Sequence, residues 1–261
     1  MQNIKKINIL NIPFSKITLT ELIGYINSTI QKKGKIYSIS LDATCIVRML
    51  ENKDSYAAIK SADIISADGY YVFLASKILG KPLPEQVFCI EIQQACVELA
   101  YTQGYKIFFL GAEQDIVEKM VKLYSKKYSP NIIAGYRNGY FSNDEENNVV
   151  ELINKSGADI LLVGMSLPKR ELFLNAYKNK LNVSFMSGAG GAFDIIGGKV
   201  KRAPKWIIKA KLEWLYRFII EPHKMWKRIF YSLPKFAFYV IKEKITPKSY
   251  TKESICKTKP L

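Results

Sequence analysis

Histidine is almost absent from this sequence of 261 residues, which contains only His223. One imidazole cannot supply a metal site built from several histidines, and it disfavours a Ser-His-Asp triad. The four cysteines show no C-x-x-C spacing, so we expect reduced, buried thiols in a cytosolic chain rather than a zinc or redox motif. They are Cys45, Cys89, Cys96 and Cys256.

Long hydrophobic runs are also missing. No stretch of 18 apolar residues occurs, so we expect no helix to span a bilayer. The apolar stretch at residues 7–12 is short and interrupted by asparagine, whereas a signal peptide needs a longer apolar core and a small-residue cleavage site. The chain is long enough to bury a substantial core without disulfides or metals.

Acidic residues are scarce relative to basic ones, and the imbalance is concentrated at one end. The chain has 39 Lys and Arg against 23 Asp and Glu, a net charge of +16. Residues 199–261 hold 17 of the basic and 4 of the acidic residues and therefore carry +13. We predict a nearly neutral body, residues 1–198, followed by a basic region, residues 199–261. Such a charge favours an anionic partner: nucleic acid, an acidic lipid surface or a phosphorylated ligand.

The basic region also contains all three tryptophans, which are Trp206, Trp214 and Trp226. Basic residues interleaved with aromatic ones are typical of a helix that lies in a membrane interface. The same composition is equally typical of a helix pair that packs on the body and keeps its lysines in water. An RNA-binding surface is a third, weaker interpretation, because no known RNA-binding motif is present.

The body alternates between strand and helix patterns. Apolar strands are predicted at residues 36–41, 63–67, 106–110, 132–134, 159–164 and 183–187. The first helix is expected to begin with a capping box, in which Thr18 and Glu21 bind each other's backbone amides. Repeated strand–helix units with apolar strands indicate an α/β fold with a mostly parallel sheet and helices on both faces.

In such a sheet, ligands bind at the carboxyl ends of the strands. That rule selects four loops, at residues 40–42, 67–69, 164–171 and 188–194. Asp68 has the most specific functional interpretation, a general base beside a hydroxyl substrate. An Asp before a Gly at a strand end nevertheless more often caps the next helix, so this alternative stays open.

The segment from Gly188 to Phe193 half resembles a dinucleotide-binding loop. Phe193 stands where the pattern G-x-G-x-x-G has its third glycine, which disfavours an NAD-dependent oxidoreductase. A glycine-rich turn whose amides face a phosphate is the alternative.

Six groups of residues occur in order along the chain. They are Ala67-Asp68-Gly69; Gly80-Lys81-Pro82-Leu83-Pro84-Glu85; Gly135 with Asn138-Gly139-Tyr140-Phe141; Pro168-Lys169-x-Glu171; Gly190-Gly191-Ala192-Phe193-Asp194 with Gly198-Lys199-Val200-x-Arg202-Ala203-Pro204; and Glu213-Trp214-Leu215-Tyr216-Arg217 with Glu221-Pro222. Together they resemble the WecG/TagA/CpsF glycosyltransferase family over nearly the whole chain.

The resemblance implies a Rossmann-like α/β body with a C-terminal helical appendage that contacts the membrane. It implies an inverting, metal-independent transferase with no cofactor. The enzyme would move a sugar, typically N-acetylmannosamine, from a UDP donor to a polyprenyl-diphosphate-linked sugar in capsule, exopolysaccharide or teichoic acid synthesis. Its place would be cytoplasmic and peripheral on the inner face of the cell membrane, with an anionic membrane surface as partner and no nucleic acid. Homo-oligomerisation stays open.

Residue by residue, Asp68 matches the family's proposed catalytic base. Ser40 and Asp42 occupy positions beside the active site where the family often has Thr and Asn. Gln86 stands where many members have Arg, and Arg170 stands where many have Gln. We interpret Arg170 either as a charge that compensates the diphosphate or as half of a surface ion pair. The departures favour a capsule or exopolysaccharide product.

Other substrate-binding positions lie in the glycine-rich turn and in the appendage. Gly190 and Gly191 belong to the turn. Arg217, Lys224 and Lys227 align with appendage arginines that are thought to close over the donor diphosphate or to hold the lipid diphosphate. Two rival classes remain: a divergent Rossmann oxidoreductase, and a non-enzymatic α/β protein that binds RNA or a membrane.

Overall fold

The protein is described by a computed structural model that covers residues 4–204, 206–207, 210 and 212–246, with only the backbone given for Glu213 and Lys224. Its centre is a six-stranded sheet. The strands are β3 (Ile36–Leu41), β4 (Ile64–Ala67), β5 (Ile107–Gly111), β6 (Ile133–Arg137), β7 (Ile160–Gly164) and β8 (Phe185–Gly188). The order is β4-β3-β8-β7-β5-β6, and every neighbouring pair is parallel. The predicted α/β class with a parallel sheet is therefore confirmed.

Helices cover both faces of this sheet. In the body they are α1 (Leu19–Gln31), α2 (Ala43–Glu51), α3 (Lys53–Lys60), α4 (Tyr70–Ile78), α5 (Cys89–Gln103), α6 (Gln114–Lys127), α7 (Glu146–Lys155), α8 (Lys169–Tyr177) and α9 (Ala192–Ile196). In the basic region they are α10 (Glu213–Ile220), α11 (Pro222–Lys227) and α12 (Leu233–Ile245), with a π-helical turn at Arg228–Ser232. The capping box of Thr18 and Glu21 is present at the start of α1.

Alternate residues of each strand belong to two separate cores. In β5, Phe108 and Leu110 join the core that contains α2, α3, α7 and α8, whereas Ile107 and Phe109 join the core that contains α1, α5 and α6. This follows from the strand period of two, because successive side chains point to opposite faces. All five residues of β5 are buried, which is typical of a parallel sheet covered on both sides.

An antiparallel hairpin precedes the central sheet, although the sequence pattern did not predict it. Strands β1 (Lys6–Ile9) and β2 (Ile12–Ser15) are joined by Leu10 and Asn11. Both residues have positive φ, 51° and 60°, which is the backbone conformation that a tight two-residue hairpin turn requires. Leu10 is an unusual residue in this position, so the turn has no strong sequence signature.

The last helix docks on the body through one face. Phe236 and Val240 of α12 are buried in the core that also contains α2. On the same face, Glu243 accepts hydrogen bonds from the Leu10 amide at 2.6 Å and from the Lys81 ammonium at 2.7 Å. Composition left open a helix in a membrane interface and a helix pair packed on the body. This face of α12 is packed on the body. None of the helices in the described residues has the length and apolar composition needed to cross a membrane.

Candidate functional site

A cavity of about 580 Å³ lies at the carboxyl ends of the parallel strands. Residues that follow each of the six strands line it. Eight of the predicted site residues are among them: Ser40, Asp42, Asp68, Gln86, Arg170, Gly190, Gly191 and Arg217. The structure thus brings together positions that are up to 177 residues apart in the sequence, as the rule for parallel sheets leads one to expect.

Asp68 lies directly after β4 and is half-buried at the cavity wall. Its amide donates to the Leu41 carbonyl at 2.9 Å, which continues the pairing of β4 with β3 by one residue. Gly69, with φ at 88°, occupies the N-cap position of α4 instead of Asp68. Burial of the Cys89 thiol, together with the nearby negative charge of Asp68, raises the pKa of that thiol well above its ordinary value.

Asp42 lies beside it at the end of β3. Its Oδ1 accepts from the Cys45 amide at 2.7 Å and so caps α2, while Oδ2 lies 3.1 Å from the Arg228 guanidinium. Burial alone would raise the pKa of Asp42, but Arg228 and the amides of Cys45 and Thr44 outweigh burial and hold that pKa below its usual value. Asp42 is therefore a carboxylate at neutral pH and ties the basic region to the body.

The Ser40 hydroxyl lies 2.8 Å from the Ser66 hydroxyl of the neighbouring strand. The two residues are register partners of β3 and β4. A hydroxyl that is held in this way keeps a fixed orientation at the cavity wall.

Arg170 is paired with an acid, but not on the surface. Its Nε donates to Glu171 Oε1 at 2.5 Å, and its Nη2 forms an ion pair with the same oxygen. Arg170 is 4% exposed and Glu171 is fully buried, so the interpretation as a surface ion pair is wrong. Burial alone would lower the pKa of Arg170, but the Glu171 carboxylate raises it above its ordinary value. The guanidinium is therefore charged at the cavity wall.

Glycines leave the space that Arg170 occupies. A Cβ at Gly188 would lie 2.7 Å from Arg170 Nε, and one at Gly190 would lie 3.6 Å from Nη1. Phe193, which stands at the third-glycine position of the half-matched loop, has a different role. Its ring fills the space beside Gly164, and a Cβ added at Gly164 would lie 2.5 Å from that ring. Phe193 is 1% exposed and belongs to the core.

The appendage contributes differently from the prediction. Arg217 lines the cavity and lies 3.7 Å from Glu221. Lys227 is exposed and is not among the lining residues, whereas its neighbour Arg228 is one of them. The Lys224 side chain lies outside the described residues. Arg228 is therefore the main site residue that sequence reasoning missed.

Basic side chains predominate around the cavity. They are Arg48, Lys169, Arg170, Lys199, Arg202, Arg217 and Arg228, against the acidic residues Asp42, Asp68, Glu113 and Asp194. Lys199 pairs with Glu113 at 2.7 Å, and Lys169 donates to the Phe141 carbonyl at 2.5 Å and lies over the Phe141 ring.

Within the part of the chain that the structure describes, no three His, Cys, Asp or Glu side chains cluster as metal ligands. The net positive charge suits a phosphorylated ligand.

Known proteins are similar to this sequence over most of its length. A family model described as "Glycosyl transferase WecG/TagA/CpsF family" matches residues 7–250. A Bacillus subtilis (strain 168) protein named N-acetylglucosaminyldiphosphoundecaprenol N-acetyl-beta-D-mannosaminyltransferase is 31% identical over 243 residues, which are 92% of this chain and 93% of that protein. A protein of the same name from Staphylococcus aureus (strain NCTC 8325 / PS 47) is 30% identical over 246 residues, 93% of this chain and 94% of that protein.

The matched range contains every residue that lines the cavity. It also contains all six groups of residues on which the resemblance was based. The resemblance is thereby confirmed, and the chain belongs to the WecG/TagA/CpsF family of glycosyl transferases.

Proposed function

We propose that this protein is an inverting, metal-independent glycosyltransferase. It moves a sugar, typically N-acetylmannosamine, from a UDP donor to a polyprenyl-diphosphate-linked sugar. The printed name of the relatives describes mannosaminyl transfer to N-acetylglucosaminyldiphosphoundecaprenol. The observation that carries the proposal is that Asp68 lines the same cavity as Arg170, Arg217 and Arg228.

In this mechanism Asp68 acts as the general base. Its carboxylate takes the proton of the acceptor hydroxyl while that oxygen attacks the anomeric carbon from the side opposite to UDP. The bond between the anomeric carbon and the UDP oxygen breaks in the same displacement, so the configuration at that carbon inverts. Gln86 and Ser40, which line the cavity near these loops, are assigned to substrate binding.

The leaving diphosphate needs compensating positive charge, because negative charge develops on the β-phosphate oxygen as its bond to the anomeric carbon breaks. Arg170, Arg217 and Arg228 supply it in this proposal. Arg228 is held by Asp42 in the structure, so a bound diphosphate would compete with Asp42 for the same guanidinium. Lys224 and Lys227 remain predicted contacts of the lipid diphosphate.

The decisive experiment is a direct assay. The protein is incubated with lipid-diphosphate-linked N-acetylglucosamine and a panel of UDP-sugars, and a disaccharide product is sought by mass. Protection of the fold against heat by UDP, without protection by NAD or RNA, would support the transferase. Protection by NAD or RNA with no effect of UDP would overturn it in favour of one of the rival classes.

Arg170 provides a prediction for donor binding. Arg170→Gln should weaken UDP binding roughly 10- to 100-fold, because a hydrogen bond to a charged group is lost. Arg170→Gln alone also removes the ion-pair partner of the buried Glu171 carboxylate. The matched variant therefore combines Arg170→Gln with Glu171→Gln and removes both charges. Adding Gln86→Arg should recover part of the affinity. Calorimetry measures the affinity for UDP. If the folded variant with Arg170→Gln and Glu171→Gln binds UDP as tightly as the wild type, Arg170 does not contact the phosphate.

We propose that the protein lies at the cytoplasmic face of the membrane, with the basic region, residues 199–261, as the contact. The free face of α12 is apolar: Phe238, Ile241 and Ile245 are 59%, 56% and 73% exposed. They recur at spacings of three and four residues, opposite the buried Phe236 and Val240, so one helix presents two apolar faces. An exposed apolar face among lysines suits an interface with anionic lipid.

Changing Phe238, Ile241 and Ile245 together to Ser should reduce binding to anionic vesicles roughly tenfold or more, because buried apolar area contributes about 25 cal/mol per Å². Sedimentation with phosphatidylglycerol vesicles at low salt measures the effect. The control changes three similarly exposed residues of the body, Tyr101, Leu123 and Leu152, to Ser. Equal vesicle binding by both triple variants would place the contact elsewhere.

A further inference from the structure

Arg170 and Glu171 form a buried ion pair between neighbouring residues in the first turn of α8. Adjacent residues of a helix point about 100° apart and do not normally face each other. Here, however, Arg170 Nε donates to Glu171 Oε1 at 2.5 Å, and Nη2 pairs with the same oxygen. Helix geometry alone does not bring these groups together, so both side chains bend towards one point.

Stability alone gives little reason for this pair. The desolvation of two buried charges offsets much of their attraction, so a buried ion pair is often no more stable than apolar side chains of similar volume. Arg170 is 4% exposed and Glu171 is fully buried. Among the described residues, Glu171 Oε2 has no hydrogen-bond partner, and a buried acceptor without a partner costs further free energy. This costly pair is therefore a candidate for a role in the site.

The geometry of the pair decides which edge of the guanidinium stays available. A guanidinium has five N–H donors in one plane. Glu171 takes the edge formed by Nε and Nη2, which leaves the edge formed by Nη1 and Nη2. Nη1 lies 3.6 Å from the place that a Cβ would take at Gly190, in the turn that lines the cavity. A Cβ at Gly188 would lie 2.7 Å from Nε and 3.1 Å from Cζ, so the side chain rests against the backbone of β8.

We infer that Glu171 is a positioning residue: it holds one edge of the Arg170 guanidinium and thereby directs the other edge, Nη1 and Nη2, to one phosphate of a nucleoside diphosphate. The phosphate part of this inference deepens the proposed function and rests on it. The contact between Glu171 and Arg170 does not depend on that function.

A fixed edge suits a phosphate for two reasons. Parallel N–H groups of a guanidinium match two phosphate oxygens in a bidentate contact, which a lysine ammonium cannot make. A side chain that is already ordered also loses less conformational entropy when the ligand binds. Because Arg170 and Glu171 together carry no net charge, the pair contributes oriented hydrogen bonds rather than net charge.

The first test concerns the contact alone and needs neither ligand nor activity. Exchange of the Arg170 Nε proton with water is measured by NMR at neutral pH, and the signal is assigned by its absence in Arg170→Lys. A proton donated to a buried carboxylate is protected, so we expect slow exchange in the wild type. Glu171→Asp keeps the charge but withdraws the carboxylate by one methylene group, so the protection should be lost. Fast exchange in the wild type, or protection that persists in Glu171→Asp, would overturn the inference.

The second test measures phosphate binding by calorimetry, with UDP and inorganic pyrophosphate as probes. Glu171→Asp should weaken both affinities about 2- to 10-fold, because the Arg170 side chain must then be ordered during binding. The charge of the cavity is unchanged in this variant, so the loss reports on orientation. In the Arg170→Gln background, Glu171→Asp should cause no further loss, since Glu171 acts through Arg170.

Glu145→Asp is the matched control. It shortens the carboxylate of another arginine ion pair, with Arg137 at 3.0 Å, and neither residue is among those that line the cavity. Both affinities should stay unaltered in this control. Wild-type affinity in folded Glu171→Asp, or an equal loss in the Arg170→Gln background, would mean that Glu171 has only a structural role and would overturn the inference.

Two further results keep the inference separate from folding and from the proposed function. If Glu171→Asp does not fold, Arg170→Lys decides: affinity as low as that of Arg170→Gln supports the fixed edge, and wild-type affinity overturns it. A wild type that binds UDP or pyrophosphate but transfers no sugar would refute the proposed function and leave the inference standing. A wild type that binds neither probe would overturn the phosphate part of the inference.

Discussion

Asp68→Asn should lower turnover by about 10²- to 10⁴-fold, because general-base catalysis typically contributes that much. The change keeps the size of the side chain and removes its ability to take a proton. Gly69, rather than Asp68, occupies the N-cap of α4, so we expect the melting temperature and UDP binding to stay close to those of the wild type. The measurement is kcat with the best UDP-sugar donor, together with thermal unfolding.

The control for this variant is Asp144→Asn, which changes an exposed carboxylate outside the cavity and should leave turnover unaltered. Turnover near the wild-type value in Asp68→Asn would show that another group takes the proton. A large fall in melting temperature, with turnover reduced only in proportion to the folded fraction, would instead support a structural role for Asp68.

Gly111→Ala should destabilise the fold by about 3 kcal/mol or more, since overpacking and an unsuitable backbone conformation act together. A Cβ at Gly111 would lie 2.4 Å from the Gly164 carbonyl carbon, and both residues are backbone partners of β5 and β7. Gly111 also has φ at 144°, which L side chains rarely adopt. Urea unfolding measures the change in the free energy of unfolding.

Gly24→Ala is the matched control. Gly24 lies within α1, and a Cβ there would meet nothing within 4 Å. Because Ala favours a helix interior over Gly, this variant should be more stable by about 0.5–1 kcal/mol. A Gly111→Ala protein as stable as the wild type would mean that β5 and β7 are farther apart at their carboxyl ends than the structure shows.

Several features of the fold and the site were determined by the sequence alone. The apolar strands at 36–41 and 159–164 were predicted from local composition, and β3 and β7 occupy them. The capping box of Thr18 and Glu21 was likewise predicted from four consecutive residues. Asp68 was selected because parallel strands end at one edge of the sheet, and this rule requires only the position of a residue after its strand. Local pattern is sufficient in each case.

Contacts between distant residues were decided only by the tertiary structure. Arg228 lines the cavity and Lys227 does not, because neighbouring residues of a helix face directions about 100° apart and the docking of the helix decides which one turns inward. The bond from Leu10 to Glu243 joins residues 233 positions apart, and no local signal marks either partner. The burial of Arg170 with Glu171 likewise depends on the open space at Gly188, which exists only once β8 and α8 are packed together.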